Sequence, residues 1–365
     1  MKKILSLSFT IVMAAALVAC GGGKGSEETT VASSKGASVV DTTEGTGDYA
    51  SLDAVELILA DTSPNGAALN LFNEKLAENV SSITGGKLTL DYHGNGDLGG
   101  DADLIRQAQS GDIAIVGSQI APLVSFVPQM AIFDLPMVFA KYDGETIDKV
   151  LNGGGNTRAT IDAAYEAAGL HAMGFLQNAT YRLTTANRDL PDLSAYKSLK
   201  IRTMENANHM AFWSAIGAEP TPLAWGEVYI ALQNGTISAE ENAADTVAGA
   251  NLQEVQKTLA CTNHILYCNQ LAINKTIWDE LNPLYQQALN EAVKMTMGEI
   301  RPTLANLDQS SKEKLAAEGM KIQEYDHEFY DEVLALPGVQ GLYNNIDKQV
   351  DGLGTILQDE LEAAK

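Results

Sequence analysis

Two arginines, Arg182 in Thr180-Tyr181-Arg182-Leu183-Thr184 and Arg202 in Leu199-Lys200-Ile201-Arg202-Thr203, sit in strand-like segments with uncharged residues directly on either side. A guanidinium is a planar fork of donors that matches a carboxylate with two parallel hydrogen bonds. Each charge-assisted bond is worth roughly 1.5–3 kcal/mol net, and removing one partner of a buried pair costs about 3–5 kcal/mol. One arginine can therefore decide whether an anion is held. Spacing alone leaves open a structural salt bridge with one of the 47 acidic residues. A second cluster, Glu240-Glu241-Asn242, offers paired carboxylates for acid–base or metal chemistry. Adjacent strand residues point to opposite faces, so only one glutamate can face a given cleft, with Asn242 on the side of Glu240. An amide there could donate to a ligand oxygen and accept from a hydroxyl. Spacing favours a solvated turn for this cluster.

The remaining motifs exclude more than they offer. Gly94-Asn95-Gly96-Asp97-Leu98-Gly99 matches a dinucleotide fingerprint, but it follows the second strand of its unit and places Asp97 where a pyrophosphate would sit. It is a tight connection at a cleft rim, and no cofactor is expected. No nucleophile elbow, phosphate loop or zinc-protease motif is present. His93, His171, His209, His264 and His327 lack metal-ligand spacing and are assigned structural or surface roles. Trp225, at a helix start, and Tyr267 could wall a ligand's carbon skeleton, whereas Trp213 stands at core spacing with Met210 and Gly217.

The elements that would position these residues begin near residue 55. Val55–Ala60, Lys87–His93 and Asp112–Val116 are strand-like, with helices over 67–83 and 101–110 between them. This β-α-β-α-β order predicts a parallel sheet whose ligands sit at the strands' carboxyl ends, at Asp61-Thr62-Ser63, Gly94–Gly100 and Gly117-Ser118-Gln119. Ser63 and Ser118 are accordingly candidate ligand contacts. Strands near 181–185, 200–203 and 237–241, with helices at 207–216 and 225–234, form a second sheet. A long strand at 265–273, a helix over 276–305, a strand near 320–324 and terminal helices to 361 complete the chain. Some 315 residues exceed one ordinary core, so two lobes are expected, joined by a hinge where the chain leaves one near residue 178 and returns near 268. The assignment is lobe I at 54–178 plus 268–307, and lobe II at 179–267 plus 308–365.

The first fifty residues describe export. Lys2 and Lys3 precede an apolar run from Ile4 to Ala19, and Leu17-Val18-Ala19-Cys20 followed by three glycines is a lipobox-like cleavage site. Residues 1–19 are assigned as a signal peptide and 20–53 as a flexible tether lipidated at Cys20. An uncleaved anchor and an ordinary signal peptide are the alternatives, and each exports the protein. Thirty flexible residues reach roughly 30 Å. Cleavage leaves 22 of the 24 basic residues against 47 acidic ones, a formal charge near −25 that argues against a nucleic-acid partner. That charge would also repel a carboxylate, but screening confines its field to about 8 Å, within which cleft arginines can dominate. Cys261 and Cys268 could form a disulfide or remain buried thiols.

Taken together, the chain resembles the DctP-type family of solute-binding proteins of tripartite (TRAP-type) transporters from Val55 to its final helices. The stretches that carry this include Thr84-Gly85-Gly86-Lys87, Asn95–Gly100, Phe133-Asp134-Leu135-Pro136, Leu199–Asn206, Gly217–Pro222, Glu227–Gly235, Glu241-Asn242, Glu254–Lys257 and Thr262-Asn263-His264. The resemblance implies an α/β clamshell of the periplasmic-binding-protein type. Each lobe would be a mixed sheet flanked by helices, with a long strand shared between them. It further implies a small organic acid as ligand, its carboxylate on Arg202 with support from Arg182 and Asn242, and membrane permease subunits as partners. The chain would be extracytoplasmic, held to the membrane by its lipid, and monomeric. An enzyme using Glu240 and Glu241, or a ligand-sensing subunit, remain as alternatives. The family usually has Asp-Gly-Gln-Glu-Asn-Pro where this chain has Ser238-Ala239-Glu240-Glu241-Asn242-Ala243, which adds charge near the cleft.

Overall fold

Leu57, Leu59 and Ala60 are buried along strand β1 (Val55–Ala60), an interior strand of the first of two sheets. The structure, a computed structural model, describes residues 49–365; the signal segment, Cys20 and nearly all of the tether lie outside the described residues. β1 runs parallel to β2 (Leu88–His93) and β3 (Ile115–Gln119), as the β-α-β-α-β pattern requires. Helices α1 (Ala68–Thr84) and α2 (Asp101–Ser110) make the crossovers, and α1 ends at Gly85 in the left-handed conformation that glycine favours. β3 begins three residues later than expected. The backbone N–H groups of Asp112 and Ile113 still bond to the carbonyl of Gln107 and so belong to the end of α2.

After the short α3 (Ile120–Leu123), α4 (Gly144–Leu151) and α5 (Asn156–Ala167), the chain enters β4 (Leu170–Tyr181) and β5 (Leu183–Ala186). The two strands belong to different sheets and are separated by Arg182 alone. The strand shared between lobes is thus a nearly continuous run interrupted at one arginine. The second sheet adds β6 (Lys200–Thr203), β7 (Glu219–Pro222), β8 (Ala239–Asn242) and β9 (Thr258–Ala260), with α6 (Ala207–Ala215), α7 (Trp225–Gln233) and α8 (Ala244–Gly249) between them. β10 (Leu266–Asn274) returns to the first sheet, where it pairs antiparallel with β3 and β4. The orders are β2-β1-β3-β10-β4 and, with β11 (Lys321–Gln323), β11-β9-β5-β8-β6-β7. Both are mixed.

The long helix expected at 276–305 is two helices. α9 (Lys275–Glu280) stops before Asn282, whose side chain accepts the N–H of Leu284, and Pro283 opens α10 (Pro283–Ala317). Proline suits the first helical turn, where its missing N–H costs nothing. At 35 residues α10 spans about 50 Å, and it buries Tyr285, Leu289 and Val293 in the core of the first sheet and Leu315 in that of the second. α11 (His327–Ala335), α12 (Pro337–Gln349) and α13 (Leu353–Ala364) close the chain, with Leu342, Ile346, Leu357 and Leu361 in one core with Leu151, Ile161, Phe212 and Trp213. Cys261 and Cys268 are both free and buried, in different cores. Among the described residues no helix is long and apolar enough to cross a membrane.

α13 also caps α5. The Glu360 carboxylate accepts the free N–H groups of Asn156 at 2.6 Å and Thr157 at 3.1 Å, where the helix dipole favours negative charge. Glu360→Ala is expected to lower stability by about 1 kcal/mol, read as a shift in the urea midpoint. An unchanged midpoint would mean that the cap contributes nothing.

Candidate ligand-binding site

Residues from both sheets meet around Arg202. β6 carries it, its Nε donates to the carbonyl of Leu223 at 2.9 Å, and its guanidinium lies 5.6 Å from the ring centre of Trp225, the first residue of α7. Arg202 is 2% exposed, yet Nη1 has no hydrogen-bond partner. Burial lowers its pKa, although Glu240 and Glu241 act in the opposite sense. A cavity of about 180 Å³ opens beside it, lined among others by Asp101, Arg106, Met204, Glu205 and Trp225. A narrower recess continues past Arg202 to Thr62, Ser63, Gln119 and Thr246.

Thr62 and Ser63 follow β1, Asp101 opens α2, and Gln119 ends β3, so the carboxyl ends of the parallel strands form one wall. Asp61 shapes that wall. Its buried carboxylate accepts the N–H of Ser63 at 2.7 Å, Asn73 at 2.6 Å and the Tyr92 hydroxyl at 2.7 Å. The glycine-rich stretch is the rim turn expected. Asn95 and Gly96, both at positive φ, donate their N–H groups to the carbonyls of Ser63 and Asp61.

Arg182 is placed differently. Nε donates to the Glu241 carboxylate, Nη2 to the Glu241 carbonyl, and Nη1 to Oε1 of Gln119. Its guanidinium lies 5.9 Å from the Tyr267 ring centre. The cluster 240–242 is no solvated turn. All three residues are fully buried, because Glu241 receives donors from Arg182, His209 and His264. Burial would raise the Glu241 pKa, but the charge of Arg182 and the histidine hydrogen bonds hold it well below the usual carboxylate range. Burial depresses His264, which is therefore neutral near pH 7. Its Nε2–H donates to Glu241 and its Nδ1 accepts from Thr262 at 3.0 Å, an assignment forced by a carboxylate that can only accept. His209 bridges Asp134 at 3.1 Å and Glu241 at 3.4 Å.

Of the remaining candidates, Asn242 is buried, accepts from Gln119 at 3.4 Å and donates to Glu240 at 3.5 Å, as same-face neighbours should. Ser118 lies within the first sheet, taking a hydrogen bond from Gln270 at 3.0 Å. The Tyr267 hydroxyl bonds Thr246 at 2.9 Å, and the ring lines a separate recess with Asp245 and Asn269. The structure thus brings Arg202 and Trp225 to the cavity and joins them to Ser63 in its recess, with Arg182, Glu241 and Asn242 in a layer linked to the recess through Gln119. Sequence reasoning missed Asp101 and Met204, and it placed Gln119 at a ligand-facing strand end while naming only its neighbour Ser118 as a contact. Asp101 directly follows the Gly94–Gly100 rim, and Gln119 directly follows Ser118.

His209 makes this layer sensitive to pH. Burial alone would lower its pKa, but hydrogen bonds to Asp134 and Glu241 raise it to about 9 from 6.5. Its stabilising contribution is fully present below about pH 6.5 and is lost as pH rises through about 9. The wild type is expected to lose about 3 kcal/mol more stability than His209→Gln between pH 6.5 and 10, in urea titrations at each pH. Parallel profiles would contradict the assignment.

Comparison with known proteins places this geometry in a family. The model of the bacterial extracellular solute-binding protein family 7, DctP, matches residues 58–335. The sialic acid-binding periplasmic protein SiaP of Vibrio cholerae is 26% identical over 75% of this chain and 83% of its own length. The 2,3-diketo-L-gulonate-binding periplasmic protein YiaO of Escherichia coli is 30% identical over 62% of this chain and 67% of its own. The sugar acid binding protein DctPAm of Advenella mimigardefordensis, solved with galactonate, superposes with a TM-score of 0.80 over 86% of this chain and all of its own at 22% identity, which shows the shared fold. The chain therefore belongs to the DctP family of extracellular solute-binding proteins of TRAP transporters, whose members bind small organic molecules for transport rather than catalyse reactions.

Proposed function

We propose that the chain captures a small carboxylate-bearing solute outside the cell and delivers it to TRAP-type permease subunits, with the ligand carboxylate held by Arg202. One observation carries this reading. A 2%-exposed guanidinium at the cavity has a nitrogen with no protein partner, and a carboxylate supplies the strongest one. The ligands in the relatives' names, sialic acid and 2,3-diketo-L-gulonate, are acids, and the galactonate complex has the same fold. Arg182 and Asn242 act as supports, since their polar groups are already engaged with Glu241, Glu240 and Gln119. Glu241, held by Arg182, His209 and His264, is not free to act as one half of a catalytic pair with Glu240.

The two lobes, 54–178 plus 268–307 and 179–267 plus 308–365, each carry one of the two sheets and close on the ligand about the crossings near residues 178 and 268. The protein works as a monomer, anchored through lipid on Cys20. Arg202→Ala is expected to weaken binding of the acid that co-purifies with the wild type, identified by native mass spectrometry, by at least 100-fold in calorimetry. Unchanged affinity would remove Arg202 as the anchor. Cys20→Ser should move the protein from the membrane fraction to the soluble fraction of its cells. Retention at the membrane would remove the lipid anchor.

A further inference from the structure

Arg202 is the positive pole of the cavity, and two carboxylates face it. Asp101 lines the cavity and its recess, with Oδ1 accepting the Thr62 hydroxyl at 2.7 Å. Glu240 lies behind Arg202. Ile201 pairs with Ala239 in the parallel register of β6 and β8, so the next residues, Arg202 and Glu240, share a face. Glu240 is fully buried, Asn242 donates to its Oε2, and its Oε1 has no partner. Thr185, directly across on β5, also has a partnerless hydroxyl.

Resting on the reading of Arg202 as carboxylate anchor, we infer that Asp101 and Glu240 make the cavity selective for a single carboxylate. The preferred ligand carries it on a molecule whose other polar groups are hydrogen-bond donors, hydroxyls or an ammonium, and a second carboxylate is rejected. Arg202 faces two carboxylates, and the other guanidinium lining the cavity, Arg106, is exposed and paired with Asp103 at 3.0 Å, so little positive potential is left for a second anionic group. Asp101, by contrast, has acceptor capacity for a donor. Burial raises the pKa of both acids, against the pull of Arg202, and brings Glu240 to about 7. The other groups facing Glu240 are Glu241, which raises its pKa, and Arg182 and Asn242, which lower it. Glu240 is therefore protonated as pH falls from 8 to 6, and the rejection of dicarboxylates weakens in that direction.

Calorimetry of the full chain with matched probes tests this: succinate, 4-hydroxybutanoate and 4-aminobutanoate on one skeleton, galactarate and galactonate on another. The hydroxy or amino monocarboxylates are expected to bind at least 10-fold tighter than the dicarboxylate of the same skeleton at pH 8. Which of 4-hydroxybutanoate and 4-aminobutanoate is preferred identifies the donor. Asp101→Asn and Glu240→Gln should each narrow the ratio at least 3-fold, and Glu240→Gln should flatten most of its dependence on pH. Asp101 sits at the cavity wall, so its variant reads the effect even where Glu240→Gln perturbs folding. Dicarboxylates binding as tightly as their partners, or ratios unchanged in both variants, would overturn the inference and leave the carboxylate anchor standing. Binding of none of these acids would overturn the anchor with it.

Discussion

Glu241 is where the two halves of the structure are tied. Its carboxylate collects Arg182 from the single-residue passage between β4 and β5, His209 from α6, and His264 from the return toward β10. His209 continues to Asp134 and Arg182 to Gln119, both within the first part of the chain. Charges taken out of water are tolerated only where every partner is in place, and loss of one partner from such a pair is strongly destabilising. The network therefore fixes β8, and with it the face that carries Glu240 and Asn242 toward Arg202.

Against this satisfied network, the neighbouring arginine is left incomplete. Arg182 and Arg202 are equally buried, at 2% exposure, but every nitrogen of the Arg182 guanidinium is engaged, whereas Arg202 uses Nε alone and rests on Trp225. A buried charged donor without an acceptor is unfavourable by at least 1–3 kcal/mol. A ligand carboxylate removes that deficit on binding. Division of labour between two similar arginines thus follows from which carboxylate each can reach within the protein.

Local pattern made most of the strands and helices legible, because apolar alternation and glycine or Asn-Pro punctuation act within a few residues. Asn282-Pro283 is such a signal, but the expectation of one helix over 276–305 passed over it, and it marks the break between α9 and α10. Local pattern failed where partners are distant. Glu240-Glu241-Asn242 has the composition of a solvated turn, and only Arg182, 59 residues earlier, and His264, 23 residues later, make its burial possible. The histidines were read as structural, and for His209 and His264 the structure agrees, but their convergence on one carboxylate had no sequence signal. Arg202 needed the family resemblance to stand apart from Arg182. Asp101 was hidden as an ordinary acidic residue in the first turn of a helix.

The central claim is that Arg202 binds the ligand through a carboxylate. A crystal structure of the protein with its co-purified ligand tests it most directly. The account predicts a ligand carboxylate oxygen about 2.7–2.9 Å from Nη1 of Arg202, over the face of Trp225 and beside Asp101. A ligand whose carboxylate lies elsewhere, with Nη1 bonded only to water or protein, would contradict it.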